Sequence, residues 1–154
     1  MAELAENVVV GEEQQLVVFK LAEEEYAVSI LKVQEIKRMT DITRVPHTPD
    51  YLKGVMNLRG SVLPVIDLKK RLNLPQKEYT EDTRIIIVKA GEIAVGLIVD
   101  AVSEVTAVQS EQIEPPQAVT GNIGENYIEG VGKLENRLLI LLNLDELIGI
   151  QAEG

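Results

Sequence analysis

The feature that most constrains this chain is an internal duplication. Residues 51–68, moved 76 positions along, fall on residues 127–144, and Tyr51/Tyr127, Gly54/Gly130, Val55/Val131, Leu58/Leu134, Leu63/Leu139 and Leu68/Leu144 coincide. Most other pairs keep their apolar or polar character. A smaller shift lays Leu16-Val17-Val18-Phe19-Lys20 on Ile85-Ile86-Ile87-Val88-Lys89, Glu25-Tyr26-Ala27-Val28 on Glu92-Ile93-Ala94-Val95, and Val33-Gln34-Glu35-Ile36 on Val102-Ser103-Glu104-Val105. Four blocks in the same order in both halves are two copies of one unit. A unit of this size is marginal alone, since a domain of some 60 residues buries only about 60% of its unfolded surface. Two copies stacked share a core. That core is aliphatic: Val, Ile and Leu supply 52 of 154 residues, and the aromatic residues number five.

Each copy is rich in β-branched runs of five to eight residues bounded by Gly, Pro, Asn or charge, such as 15–21, 84–89, 93–99 and 138–142, and these are strand signals. The pattern predicts an all-β fold of two small barrels of about five strands each, with short helices only as connectors. Three connectors are expected: one opening at Asp50 after Pro49, one from Asp67 to Leu72, and one from Asn143 to Ile148 closing at Gly149. The copies end in hairpins whose two-residue turns are Arg59-Gly60 and Glu135-Asn136, where Gly and Asn tolerate the positive φ such turns require. The expected organisation is one domain over 13–150, a first barrel over 13–78 and a second over 79–150, with mobile tails at 1–12 and 151–154.

Charge and composition exclude several functions. Twenty-five acids against fifteen bases give a net charge of −10, the wrong sign for binding nucleic acid or for docking on anionic lipid. Without cysteine there are no disulfides, thiolate nucleophiles or Cys-based metal centres. Glu3 and Glu6 stand where a signal peptide carries bases, and the longest aliphatic run, five residues, is far short of a membrane span. The one histidine, His47, lies in a Pro-flanked loop and reads as a solvated residue rather than a general base. Neither Gly-x-Gly-x-x-Gly nor Gly-x-x-x-x-Gly-Lys, the phosphate-loop patterns, occurs, and no His/acid cluster has metal-ligand spacing. Asp67 reads as a helix cap rather than half of a dyad with Asp100, because the second copy has Asn143 at its place. No cofactor is expected.

Differences between the copies point to function. The second copy makes its turn with Lys133-Leu134-Glu135-Asn136 where the first has Asn57-Leu58-Arg59-Gly60. Asn57 and Arg59 are therefore candidates for more than folding, although a surface Arg without a partner fits the same spacing. The stretch 30–36 fits neither helix nor strand cleanly. Core packing is the default for Val33 and Ile36, and a docking strip beside Glu35 is the alternative.

The stretches Glu25-Tyr26-Ala27-Val28, Ile30-Leu31-Lys32-Val33-Gln34-Glu35-Ile36 and Gly54-Val55-Met56-Asn57-Leu58-Arg59-Gly60-Ser61-Val62-Leu63-Pro64-Val65-Ile66-Asp67-Leu68 closely resemble the CheW family of bacterial chemotaxis coupling proteins, and the match runs over about 15–147. The resemblance implies two SH3-like five-stranded barrels around a shared aliphatic core and no catalytic activity. It implies an adaptor that bridges chemoreceptor signalling tips to the regulatory domain of the histidine kinase CheA, cytoplasmic and recruited to membrane-associated arrays by receptors rather than by lipid. It places Val33, Glu35, Gly54, Arg59, Gly60, Val102 and Val105 at positions the family uses for receptor or kinase contact, or for shaping those surfaces. Gly54 and Gly60 also carry a purely backbone reading. Other readings are a coupler for another chemosensory system, such as twitching motility, and a small-ligand enzyme or carrier using the cleft between barrels.

Overall fold

The computed structural model describes residues 12–116 and 127–149. Among the described residues eleven strands run in the order β1 (Glu13–Leu21), β2 (Glu24–Ser29), β3 (Val33–Arg38), β4 (Leu52–Leu58), β5 (Ser61–Asp67), β6 (Arg84–Ala90), β7 (Ile93–Val99), β8 (Ala101–Gln109), β9 (Ile113–Glu114), β10 (Ile128–Leu134) and β11 (Arg137–Leu142). Helix α1 (Leu68–Arg71) follows β5, α2 (Leu144–Ile148) follows β11, and 3₁₀ turns cover Ile30–Lys32 and Ser110–Gln112. The fold is all-β: two SH3-like subdomains with short connecting helices, packed around a shared aliphatic core.

The duplication is visible element by element. The hairpins β1–β2 and β6–β7 correspond, as do β3 and β8, then β4–β5–α1 and β10–β11–α2. Gly54 and Gly130 each sit at a register shift, between Leu52 and Gly54 in one hairpin and between Ile128 and Gly130 in the other. Both shifts let another segment run close by. A Cβ on Gly54 would stand 2.2 Å from the Thr43 carbonyl oxygen, and one on Gly130 would stand 2.8 Å from Ile113 Cγ2. Thr43 makes its isolated bridge to Val55 there, and β9 pairs with β10 at the equivalent place. Each helix is capped by the residue that closes its hairpin: the Asp67 carboxylate accepts from the amides of Lys69 and Lys70, and the Asn143 side chain accepts from that of Glu146. Gly149 ends α2 in the left-handed region, as expected from its position.

The sheets, however, are not the sequence halves. One sheet has the order β8-β1-β2-β11-β10-β9 and the other β3-β6-β7-β5-β4. Each joins strands from both copies: β1 pairs with β8, β3 with β6, and the parallel pairs β2–β11 and β5–β7 also cross between copies. The expected barrels at 13–78 and 79–150 are therefore corrected. The first hairpin of each copy joins the remaining strands of the other, so one subdomain is β1, β2 and β8–β11, and the other is β3–β7.

The crossing explains the continuous aliphatic runs. Successive side chains of a strand face opposite ways, and here both ways are apolar. Leu16 and Val18 of β1 fill the interior of the first subdomain, while Ile85 and Ile87 of β6, their counterparts, fill the second. The alternating partners Val17 and Phe19, and Ile86 and Val88, meet in the cluster between the subdomains with Val95, Leu97, Leu142 and Leu147. Arg71 ties the copies at their helices. Its Nε donates to the Leu147 carbonyl at 2.7 Å, and its guanidinium lies 4.3 Å from the Tyr51 ring and 5.0 Å from the Tyr127 ring.

Three local expectations need correction. No helix opens at Asp50: the segment is a turn, closed by the Leu52 amide donating to the Pro49 carbonyl, and β4 starts at Leu52. The two-residue turns differ, since Arg59 and Gly60 have φ +48 and +92 whereas neither Glu135 nor Asn136 is among the positive-φ positions. Without a glycine, the second hairpin turns within ordinary backbone space. Ile36 is exposed rather than part of the core. The expected tails lie outside the described residues except for Glu12, whose carbonyl accepts from the Ser110 amide.

Candidate functional site

Strand β3 alternates half-buried and exposed positions, which sets Val33 and Glu35 on its inner side and Ile36 on its outer side. Val33 packs against the shared core. One bulge later, Glu35 meets Arg59 from the turn of the β4–β5 hairpin: Nη2 to Oε2 at 2.5 Å and Nη1 to Oε1 at 3.5 Å, a two-pronged ion pair. The hydrogen bond from Arg59, with its charge and that of Lys37, holds the Glu35 carboxyl below its usual range, and the carboxylate in turn raises Arg59. Residues 24 apart in the chain are thus joined across the edges of one sheet.

The other residues of this hairpin act on the backbone. Asn57 Oδ1 accepts from the Gly60 amide at 3.0 Å and closes the turn. Gly60 is required by its φ of +92 and not by space, because nothing lies within 4 Å of a Cβ placed there. Gly54 is required by the approach of Thr43. Of the four hairpin residues picked out in the sequence, Arg59 is the one whose side chain reaches beyond its own hairpin, to Glu35 on β3.

Val102 and Val105 lie on β8 in the six-stranded sheet, not with the Glu35–Arg59 group. Val102 flanks the shared core as Val33 does, and Val105 is exposed. The six-stranded subdomain holds an ion-pair cluster, drawn from both copies, that sequence reasoning missed. Arg137 at the start of β11 donates to both oxygens of Glu25, at 2.9 and 3.2 Å, and contacts Glu104 Oε2 at 2.5 Å. Glu104 is the counterpart of Glu35, so the smaller repeat shift pointed to it. Exposed apolar residues recur in register as well: Ile36 and Val105 are 42% and 53% exposed, and Val62 and Leu138, each second in its β5 or β11 strand, are 68% and 58% exposed. Each subdomain therefore presents a third-strand acid bound to a hairpin arginine, with bare aliphatic side chains on the same elements.

The buried polar groups serve the fold. Asp67, besides capping α1, accepts from the Tyr79 hydroxyl at 3.1 Å, and burial together with the Asp67 charge pushes that phenol upward. Asp100 accepts from the Ala22 amide and pairs with the buried ammonium of Lys69 at 2.7 Å. The Asp67 and Asp100 carboxylates are separately employed and form no dyad. Among the described residues no group of three His, Cys, Asp or Glu side chains is placed to hold a metal, and no helix is long and apolar enough to cross a membrane.

The family model described as the CheW-like domain matches residues 15–152. The chain belongs to the CheW-like family. It is 43% identical over 135 residues to the chemotaxis protein CheW of Bacillus subtilis, covering 88% of this chain and 86% of that one. It is 40% identical over 135 residues to the CheW of Klebsiella aerogenes, covering 88% and 81%. Among solved structures, the scaffolding protein TtCheW of Thermoanaerobacter tengcongensis superposes with a TM-score of 0.83 at 42% identity, over 88% of this chain and 92% of that one. The CheW-like fold accounts for the paired strands and the shared core.

Proposed function

We propose that this chain is a non-catalytic coupling protein that joins the cytoplasmic signalling tips of chemoreceptors to the regulatory domain of a CheA histidine kinase. The observation that carries the reading is the duplicated surface. An adaptor needs two adhesive faces on one rigid body, and each subdomain here offers exposed aliphatic residues beside a carboxylate–arginine pair. Such patches, apolar with charges at the side, are the composition of protein–protein contacts. Val33, Glu35 and Arg59 belong to the face of one subdomain, and Val102 and Val105 to that of the other, while Gly54, Asn57 and Gly60 shape the first. The similarity to proteins named for chemotaxis and scaffolding supports the same role. Working from the cytoplasm, the chain is held in a receptor array by these contacts and not by lipid.

The test is a pull-down with the kinase regulatory domain, with and without a receptor-tip fragment. The expected outcome is a ternary complex in which the kinase domain is retained on receptor beads only when this chain is added. Retention of kinase by receptor without it, or binding to neither, overturns the reading.

A further inference from the structure

The shift that aligns the two copies also reverses the charge of one face. Lys53 on β4 stands where β10 has Glu129, and Lys70 in α1 stands where α2 has Glu146. Both pairs are matched in place, the first next to the bulge glycines and the second three residues beyond the helix caps Asp67 and Asn143. The second copy builds the same strand and helix with acids, and acids in the first turn of a helix suit its amide ends better than lysines do. The second copy builds these elements without cations at the two positions.

These two lysines line adjoining concavities. One, of about 290 Å³, is bounded by Arg44 and His47 in the loop before β4. The other, of about 530 Å³, is bounded by Lys77 and by Tyr79, whose ring lies 5.1 Å from Lys53 Nζ. Three acids share these walls: Asp50, Glu78, and Asp67, which is spent on the α1 amides and the Tyr79 hydroxyl. Arg44, Lys70 and Lys77 make no ion pair with any described residue. With Asp67 engaged, Arg44, Lys53, Lys70 and Lys77 outnumber the acids Asp50 and Glu78 on these walls, a local excess of cations on a chain of net charge −10.

We propose that this face is a docking surface for an acidic segment of a protein partner. The cations are dispersed over two depressions instead of converging on one point, which fits carboxylates spaced along a chain better than a single phosphate. Lysine binds as a flexible point charge that can follow carboxylates along a chain, and the walls also offer Val45, Pro46 and Leu52 to aliphatic parts of a peptide. The surface is distinct from the Glu35–Arg59 face and does not depend on the coupling role argued above.

The test is an anisotropy titration of fluorescein-labelled poly-L-glutamate with the whole chain at low salt. Two double variants are compared: Lys53→Glu with Lys70→Glu, which installs the residues of the second copy, and Lys20→Glu with Lys89→Glu, which changes the net charge equally at exposed sites elsewhere. Melting curves on both establish that they are folded, and Lys53→Gln with Lys70→Gln replaces the first should it melt early. The expected result is binding by the unmodified chain, weakened roughly tenfold or more by the change at 53 and 70 and much less by that at 20 and 89. Equal weakening by both, or no binding by the unmodified chain, overturns the proposal. So does saturable binding of inorganic phosphate at this face that displaces the peptide, or self-association on sedimentation that vanishes with the Lys53 and Lys70 changes.

Discussion

Arg59 occupies a backbone position poorly suited to its side chain. Its φ of +48 begins a turn in which Gly60 is also positive, the pattern of a type I′ hairpin turn, where Asn, Asp or Gly is preferred. Alanine has the same Cβ as arginine, so Arg59→Ala leaves that strain unchanged and removes only the exposed pair with Glu35. Surface pairs of this kind contribute little to stability. The variant's melting curve is expected to coincide with that of the unmodified chain, while receptor coupling falls roughly ten- to a hundredfold, the scale of one interfacial charge-assisted hydrogen bond. Early melting with normal binding once folded would make Arg59 a structural residue. Gly54 predicts the reverse. A Cβ there meets the Thr43 carbonyl at 2.2 Å and the residue has φ +152, so Gly54→Ala should lose about 2–4 kcal/mol in urea unfolding, with any coupling defect following from that loss. Arg59 stood out because the second copy makes its turn without an arginine, and Glu35 because it flanks a stretch that fits neither helix nor strand, but neither signal showed that the two side chains meet. The Arg137–Glu25–Glu104 cluster was not legible, since its members come together only when β2 pairs with β11 and β8 with β1, and single-residue differences say nothing of such pairings.

At the scale of elements, the turns show how far local chemistry decides the outcome. Ala22 and Gly91 are the first central residues of the corresponding β1–β2 and β6–β7 turns, with φ of +57 and +65, and in neither turn is the second central residue positive. This is the pattern of a type II′ turn, whose first central position favours glycine. One copy has that glycine and the other bears strain. Ala22→Gly should therefore stabilise the chain by about 0.5–1 kcal/mol, the relief of the left-handed alanine less the added entropy of an unfolded glycine. A lower melting temperature in that variant would show that the Ala22 amide, held by Asp100 at 2.8 Å, depends on the methyl group's restriction of the turn. The caps at Asp67 and Asn143 were readable because a side chain suited to the task precedes each helix. Asp50 carried the same local signal after Pro49, and there the signal failed. The next residues are claimed by β4, whose pairing with β5 fixes many backbone hydrogen bonds where a single helical turn would fix few.

The duplication announced two equivalent units at the scale of the whole molecule, and the exchange of strands between them lay outside what sequence periodicity can express. A shift alignment records which residues are alike, not which copy a strand joins. A chain cut after residue 78 tests the difference. In the intact molecule β1 lies between β2 and β8, β3 pairs with β6, and β5 lies between β4 and β7. The first half alone would keep only the hairpins β1–β2 and β4–β5, and isolated two-stranded hairpins are marginal in water. The cluster between the subdomains would also be divided, with Val17, Phe19 and Leu21 in one piece and Ile86, Val88 and Leu97 in the other. Neither piece should fold as a monomer, and mixing the two should restore the circular dichroism and dispersed amide spectrum of the whole chain. Because β3–β5 are the counterparts of β8, β10 and β11, the first half has one further course: two copies of it can exchange β3–β5 and pair as the natural halves do. Sedimentation distinguishes the cases. Any folded form of residues 13–78 should be a dimer whose structure is lost on dilution, and a folded monomer would mean that the crossing strands are dispensable and that each sequence half is a barrel in its own right.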